Sequence, residues 1–116
     1  QAGFNIQSVT FDQVLSIDNQ NLNPDSFFLG KPYPNPFNPS VEMNLLVNNS
    51  GTYQVNIHNI KGELINSWDV IFTQKGNHNI HWNAMNDSGS LVPSGVFFIS
   101  VTNQNKSKQR KVLLLR

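Results

Sequence analysis

A chain of 116 residues can bury one hydrophobic core but not two, because single domains typically run to about 100–150 residues. Apolar residues make up 38% and charged residues 13% of it, with 18 Asn and 8 Gln supplying the missing polarity; Asn is disfavoured inside helices and tolerated in turns, so the composition favours short strands over helix. A net charge of +1 gives no field to hold a polyanion and excludes nucleic-acid binding on charge, the absence of cysteine removes disulfides and thiolate metal sites, and no apolar run reaches the about 18 residues of a membrane span.

The chain begins at Gln1 and reads as a piece of a longer protein. Residues 1–11 hold Phe4, Ile6, Val9 and Phe11 among polar neighbours, a partial alternation that predicts one strand or the trailing edge of a preceding domain. Residues 12–26 turn polar, with Asp18-Asn19-Gln20-Asn21 and Asn23-Pro24-Asp25, and read as a linker. The division predicted is therefore 1–26 as trailing strand and linker, and 27–116 as the domain.

After a short apolar strand over 27–29 come Pro32, Pro34, Pro36 and Pro39 within nine residues. Proline fixes φ and pushes its predecessor out of the α region, so this segment is expected to be an ordered, extended loop without sheet pairing. Tyr33 and Phe37 are expected to plug one open end of the fold while Asn35 and Asn38 bond local backbone, with a recognition role as the alternative.

Val41, Met43, Leu45 and Val47 alternate with polar residues, and after Asn49-Ser50-Gly51 the alternation resumes at Tyr53, Val55 and Ile57. Period-two patterns around a glycine turn predict an antiparallel hairpin. A turn over 60–63 leads to a strand over 64–72 containing Trp68, and Lys75-Gly76-Asn77 turns into a strand ending at Trp82. A long loop over 83–95 precedes a strand over 96–101, and Asn103-Gln104-Asn105 closes a last hairpin onto 108–115.

About seven short strands with regular turn signals predict an all-β fold, an immunoglobulin-like antiparallel β-sandwich. Met43, Leu45, Val55, Ile57, Ile80, Trp82, Phe97, Ile99 and Val101 are the expected core, each worth about 1.5–3 kcal/mol on burial. On the last strand either Val112 and Leu114 or Leu113 and Leu115 must face inward.

Five of the eight cations, Lys106, Lys108, Arg110, Lys111 and Arg116, fall in the last eleven residues, and every carboxylate lies at or before Asp87. This basic hairpin is either a recognition element or a set of charges that keeps an exposed edge strand from pairing with other chains. No metal site is expected. His78 and His81, three apart on a strand, point to opposite faces, and Asp87-Ser88-Gly89 supplies one carboxylate where calcium loops use several. No nucleophile elbow, phosphate loop or zinc-protease motif occurs, so neither catalysis nor a cofactor is expected.

Tyr33-Pro34-Asn35-Pro36-Phe37-Asn38-Pro39-Ser40, Asn59-Ile60-Lys61-Gly62-Glu63, His81-Trp82-Asn83, Asp87-Ser88-Gly89 with Pro93-Ser94-Gly95-Val96-Phe97-Phe98, and Lys111-Val112-Leu113-Leu114-Leu115-Arg116 occur in that order. This set resembles the type A carboxy-terminal sorting domains of the bacterial type IX secretion system, a sandwich similar to the immunoglobulin-like domain of the flagellar hook-capping protein. The resemblance implies a domain behind an amino-terminal cargo, passed through the periplasm and read by an outer-membrane translocon. It also implies removal by a surface protease of sortase type, cutting between Asp18 and Ser26, and cargo that ends at the cell surface or outside.

The family often has Trp-Asp-Gly where this chain has Trp82-Asn83-Ala84, and Tyr-Asp where it has His58-Asn59; both keep a turn-capping acceptor and lose a charge. The competing functions are an accessory carbohydrate module using Trp68 as a stacking platform, and a purely structural assembly module. A monomer is expected.

Overall fold

In the computed structural model, which describes residues 27–116, period-two alternation becomes strand after strand. The strands are β1 (Phe27–Leu29), β2 (Val41–Val47), β3 (Gly51–Asn59), β4 (Leu64–Phe72), β5 (Gly76–Trp82), β6 (Gly95–Asn103) and β7 (Lys106–Leu114). The strand and linker expected over residues 1–26 lie outside the described residues. Two antiparallel sheets result, one ordered β1-β2-β5 and the other β4-β3-β6-β7, with no helix among the described residues. This is the immunoglobulin-like β-sandwich that the alternation predicts.

Each sheet turns one row of side chains inward. Phe27, Leu29, Val41, Met43, Leu45, Val47, Ile80 and Trp82 come from the first sheet, and Tyr53, Val55, Ile57, Phe97, Ile99, Val101, Val112 and Leu114 from the second. All are buried, and every residue of the expected core is among them. On β7 it is Val112 and Leu114 that face inward, because Val112 stands opposite Phe97. Both ends of the final hairpin move from expectation: β6 opens at Gly95, and β7 runs from Lys106 to Leu114, since Asn103 still pairs with Lys106 and leaves a turn of only two residues.

Two turns share one construction. Asn59 Oδ1 accepts from Lys61 N and Glu63 N at 3.0 Å each, while Gly62 N donates to Asn59 O. Asn86 Oδ1 accepts from Ser88 N and Ser90 N at 3.0 and 2.9 Å, while Gly89 N donates to Asn86 O. Gly62 and Gly89 have φ of 86° and 84°, which a side chain would resist. Asn–x–x–Gly–x is thus a repeated turn in which an amide carbonyl replaces the missing backbone partners. The Asp87-Ser88-Gly89 segment is the tip of one such turn.

The proline segment departs from expectation in three ways. It pairs, although only at single bridges: Tyr33 exchanges two backbone bonds of 2.9 Å with Glu42 of β2, and Phe37 stands beside Leu114 of β7, with Phe37 N donating to Leu113 O and Leu115 N donating to Phe37 O. Pro34, Pro36 and Pro39 have no N–H to offer, so pairing is confined to residues between them. The Tyr33–Pro34, Asn35–Pro36 and Asn38–Pro39 peptide bonds are cis. With Tyr33 bridged to β2 and Phe37 to β7, the chain leaves the lane of β1 in one sheet and arrives at the edge of the other, closing that side of the sandwich.

Second, only Phe37 plugs it, at 1% exposure with its ring 5.8 Å from that of Trp82; Tyr33 is half exposed, because its bridge to Glu42 sets it on the outer face. Third, Asn35 bonds far across the chain rather than locally. Its Nδ2 donates to Lys111 O at 3.2 Å and its Oδ1 accepts from Leu113 N at 3.0 Å, so one amide mimics a strand neighbour for β7.

Candidate functional site

Strand alternation sorts the five terminal cations before any receptor is considered. Lys106, Lys108 and Arg110 share the inward row with Val112 and Leu114, whereas Lys111 points to the outer face. The cations therefore do not form a single patch.

Two of the five are structural ties. Arg110 donates from Nε and Nη2 to Leu29 O at 3.1 and 2.7 Å, joining β7 of one sheet to β1 of the other. Arg116 donates from Nε to Val92 O at 2.7 Å and from Nη2 to Ala84 O at 3.4 Å, and its backbone N donates to Ser94 Oγ at 2.9 Å. It fastens the end of β7 to the long loop between β5 and β6. A guanidinium suits both tasks, since its donors are held in a rigid fork that one carbonyl or two neighbouring ones can satisfy.

The ammonium groups of Lys106, Lys108 and Lys111 have no hydrogen-bond or ion-pair partner among the described residues; the first residue is half-buried and the others exposed. The edge of β7 divides in the same way. Its carboxy-terminal half is covered by Asn35 and Phe37 through Lys111 O, Leu113 and Leu115 N. Alternation places the backbone groups of Ser107 and Gln109 on the same edge, beyond the reach of the loop. The open half of the edge is thus flanked by the three unpartnered lysines.

The remaining motif residues are architectural. Trp82 is buried and donates from Nε1 to Met85 O at 2.9 Å, with Phe37 on one side and Phe97, at 5.2 Å, on the other. Pro93 and Gly95 line an apolar cleft of about 310 Å³ with Ile60, Ile65 and Val96. Pro34 and Pro36 shape the loop around Asn35, while Asn38 and Pro39 lead exposed into β2. Asp87 and Gly89 form the second Asn-centred turn, with Asp87 N donating to Ile65 O.

The Trp68 sugar platform is not formed: Trp82 is inside, and Trp68 packs half-buried against the core. No group of three or more His, Asp or Glu gathers as a metal site among the described residues. Among the described residues no helix is long and apolar enough to cross a membrane. The ties made by Asn35, Arg110 and Arg116 were not visible in the sequence, because each links residues 22 to 81 positions apart.

Residues 37–107, more than half the chain, match the family model described as the FlgD Ig-like domain. The match omits β1, the first half of the proline loop and most of β7. No curated protein sequence matches the chain. Among solved structures the fold is similar to part of dimeric latent PorU from Porphyromonas gingivalis, with a TM-score of 0.63 and 19% identity over 84% of this chain and 10% of that one. It is similar to part of PorZ, an essential surface component of the type-IX secretion system of the same bacterium, with a TM-score of 0.52 and 26% identity over 79% of this chain and 12% of PorZ. A third likeness is to FlgD of Xanthomonas campestris, a protein of flagellar hook capping, with a TM-score of 0.56 and 14% identity over 75% and 64% of the two chains. The chain thus spans about a tenth of PorU and of PorZ.

Proposed function

This chain belongs to the FlgD Ig-like domain family, and from that footing we propose that it is a non-catalytic secretion and surface-attachment domain of a larger exported bacterial protein, read by the outer-membrane translocon of the type IX system. The observation that carries the reading is the likeness to PorZ, at 26% identity across 79% of this chain. The ordered motif set from Tyr33 to Arg116 points the same way. On this reading the domain does no chemistry and binds no cofactor; it is a rigid body presented to a receptor.

Within that body the geometry divides the labour. Arg110 and Arg116 hold β7 in place, and Lys106, Lys108 and Lys111 remain to meet acidic groups on a receptor. Phe27 lies beside Val47 at one pole, while Gly95 and Leu114 pair at the other. The domain is therefore entered at the pole away from Leu114, and a surface protease cutting between Asp18 and Ser26 would cut before the first strand of the sandwich.

Removing β7 would not test this, since Val112 and Leu114 are core residues whose loss unfolds the domain. The test is a charge exchange on the whole chain. A periplasm-directed reporter carrying all 116 residues at its carboxyl end, with Lys106, Lys108 and Lys111 changed to Gln, is expected to stay in the periplasm of a type IX host while the unmodified fusion is exported. Equal export of the two, with the variant domain folded, rules out the lysine-reading role.

A further inference from the structure

We propose that the outer face of the β1-β2-β5 sheet binds an uncharged polysaccharide, with Phe28 and Tyr33 as stacking rings at its two ends and an amide row between them. The register places the residues. Phe28 stands opposite Leu46, and Tyr33 opposite Glu42, on the face that the alternating burial of β1 and β2 turns outward. Between these two rows Asn44 stands opposite Asn79.

Both rings are well exposed, Phe28 at 59% and Tyr33 at 49%. From Leu46 to Glu42 is four strand residues, about 14 Å at the usual rise of about 3.4 Å. That is the footprint of several linked sugar rings in a row rather than of one.

The row between the rings is left open. Gly30 follows β1 and donates its N–H to Asn44 O at 2.8 Å. A Cβ at that position would stand 3.2 Å from Asn44 O and 3.5 Å from Asn44 Cβ, so glycine keeps the space beside Asn44 clear. Asn79 donates from Nδ2 to Glu42 Oε1 at 3.0 Å, which orients its carbonyl oxygen and ties down the one carboxylate of the face. Side-chain amides both donate and accept, as sugar hydroxyls do, and aromatic rings offer a flat apolar surface to the C–H face of a pyranose.

Charge selects the ligand. The strand positions of this face carry no Lys or Arg; their single acid, Glu42, is engaged by Asn79, and their one imidazole, His81, stands opposite that acid, so the face offers an anionic polymer no fixed cation and a neutral one loses nothing. A protein partner would have to dehydrate the amide row at the centre of the contact, whereas interface centres are apolar. A chain of hydroxyls replaces the water on those amides group for group.

The face is independent of β7, so failure here leaves the secretion reading untouched. The whole chain is run by affinity electrophoresis in gels containing laminarin, hydroxyethyl cellulose, xylan or galactomannan, with polygalacturonate as the anionic control. Retardation by at least one neutral polymer and none by polygalacturonate is expected. Phe28→Ala and Tyr33→Ala are each expected to weaken retardation about tenfold, the scale of one aromatic contact, whereas Ile71→Ala, an exposed residue of the other sheet, leaves it unchanged. Matching thermal unfolding of the variants keeps the comparison to binding. No retardation by any neutral polymer, retardation by polygalacturonate alone, ring variants that bind as the parent does, or sedimentation showing a dimer that Phe28→Ala dissolves would each overturn the proposal.

Discussion

Phe37 is the residue on which the proline loop turns, and truncating it is the most informative perturbation of the fold. Its ring is 1% exposed and packs 5.8 Å from Trp82, which in turn packs 5.2 Å from Phe97, so Phe37→Ala leaves a void beside the largest side chain of the core. Truncations of buried Phe cost about 3–5 kcal/mol, transfer and cavity together. Set against a total stability of about 5–15 kcal/mol, that is a large share. At about 4–8 °C per kcal/mol for a domain of this size, the melting temperature should fall by roughly 12–40 °C. Tyr33→Ala is the internal control, because the same loop supplies the residue, its bridge to Glu42 uses backbone atoms only, and half its side chain is in water. It should change stability by no more than about 0.5 kcal/mol. Urea unfolding followed by tryptophan fluorescence reads both, and a cost below about 1 kcal/mol for Phe37→Ala, or equal costs for the two, would refute the claim that Phe37 alone closes the sandwich.

Two further substitutions probe the ties. Arg110→Ala removes both bonds to Leu29 O from a half-buried guanidinium and should cost about 1–2 kcal/mol in the same unfolding assay, with Arg110→Lys restoring only part of it because an ammonium cannot supply the fork. Asn59→Ala and Asn86→Ala each delete an acceptor of two backbone N–H groups in turns of one design, so chemical denaturation should give similar losses of about 1 kcal/mol for both; a loss confined to one would show that the turns are not equivalent.

The sandwich was legible because its signal is local. Val41, Met43, Leu45 and Val47, and again Tyr53, Val55 and Ile57, alternate without interruption, and Gly62 and Gly89 mark turns that only a left-handed residue closes. The parity of β7 was not legible, since 112–115 is apolar on both faces and only the pairing of Phe97 with Val112 decides it. Asn35 read as a residue bonding nearby backbone because its neighbours are prolines, while its partners lie 76 and 78 positions away. The five cations read as one basic tail by proximity in sequence, whereas alternation and two long-range carbonyls separate Arg110 and Arg116 from the three lysines. Ala84 illustrates the opposite case: it occupies the glycine position of the resembling family and has a φ of 63°, the left-handed conformation that glycine adopts most readily. The glycan face escaped sequence reading because Phe28 and Tyr33 become neighbours of one amide row only through their separate partners on β2.

The central claim is that this module is an address for export and not a domain with chemistry of its own. The most direct measurement is the location of a periplasm-directed reporter carrying the whole chain at its carboxyl end, in a type IX-competent host and in an otherwise identical strain lacking the outer-membrane translocon. Reporter outside the cell or on its surface in the first strain and confined to the periplasm in the second is the predicted result. The same distribution in both strains would contradict the claim.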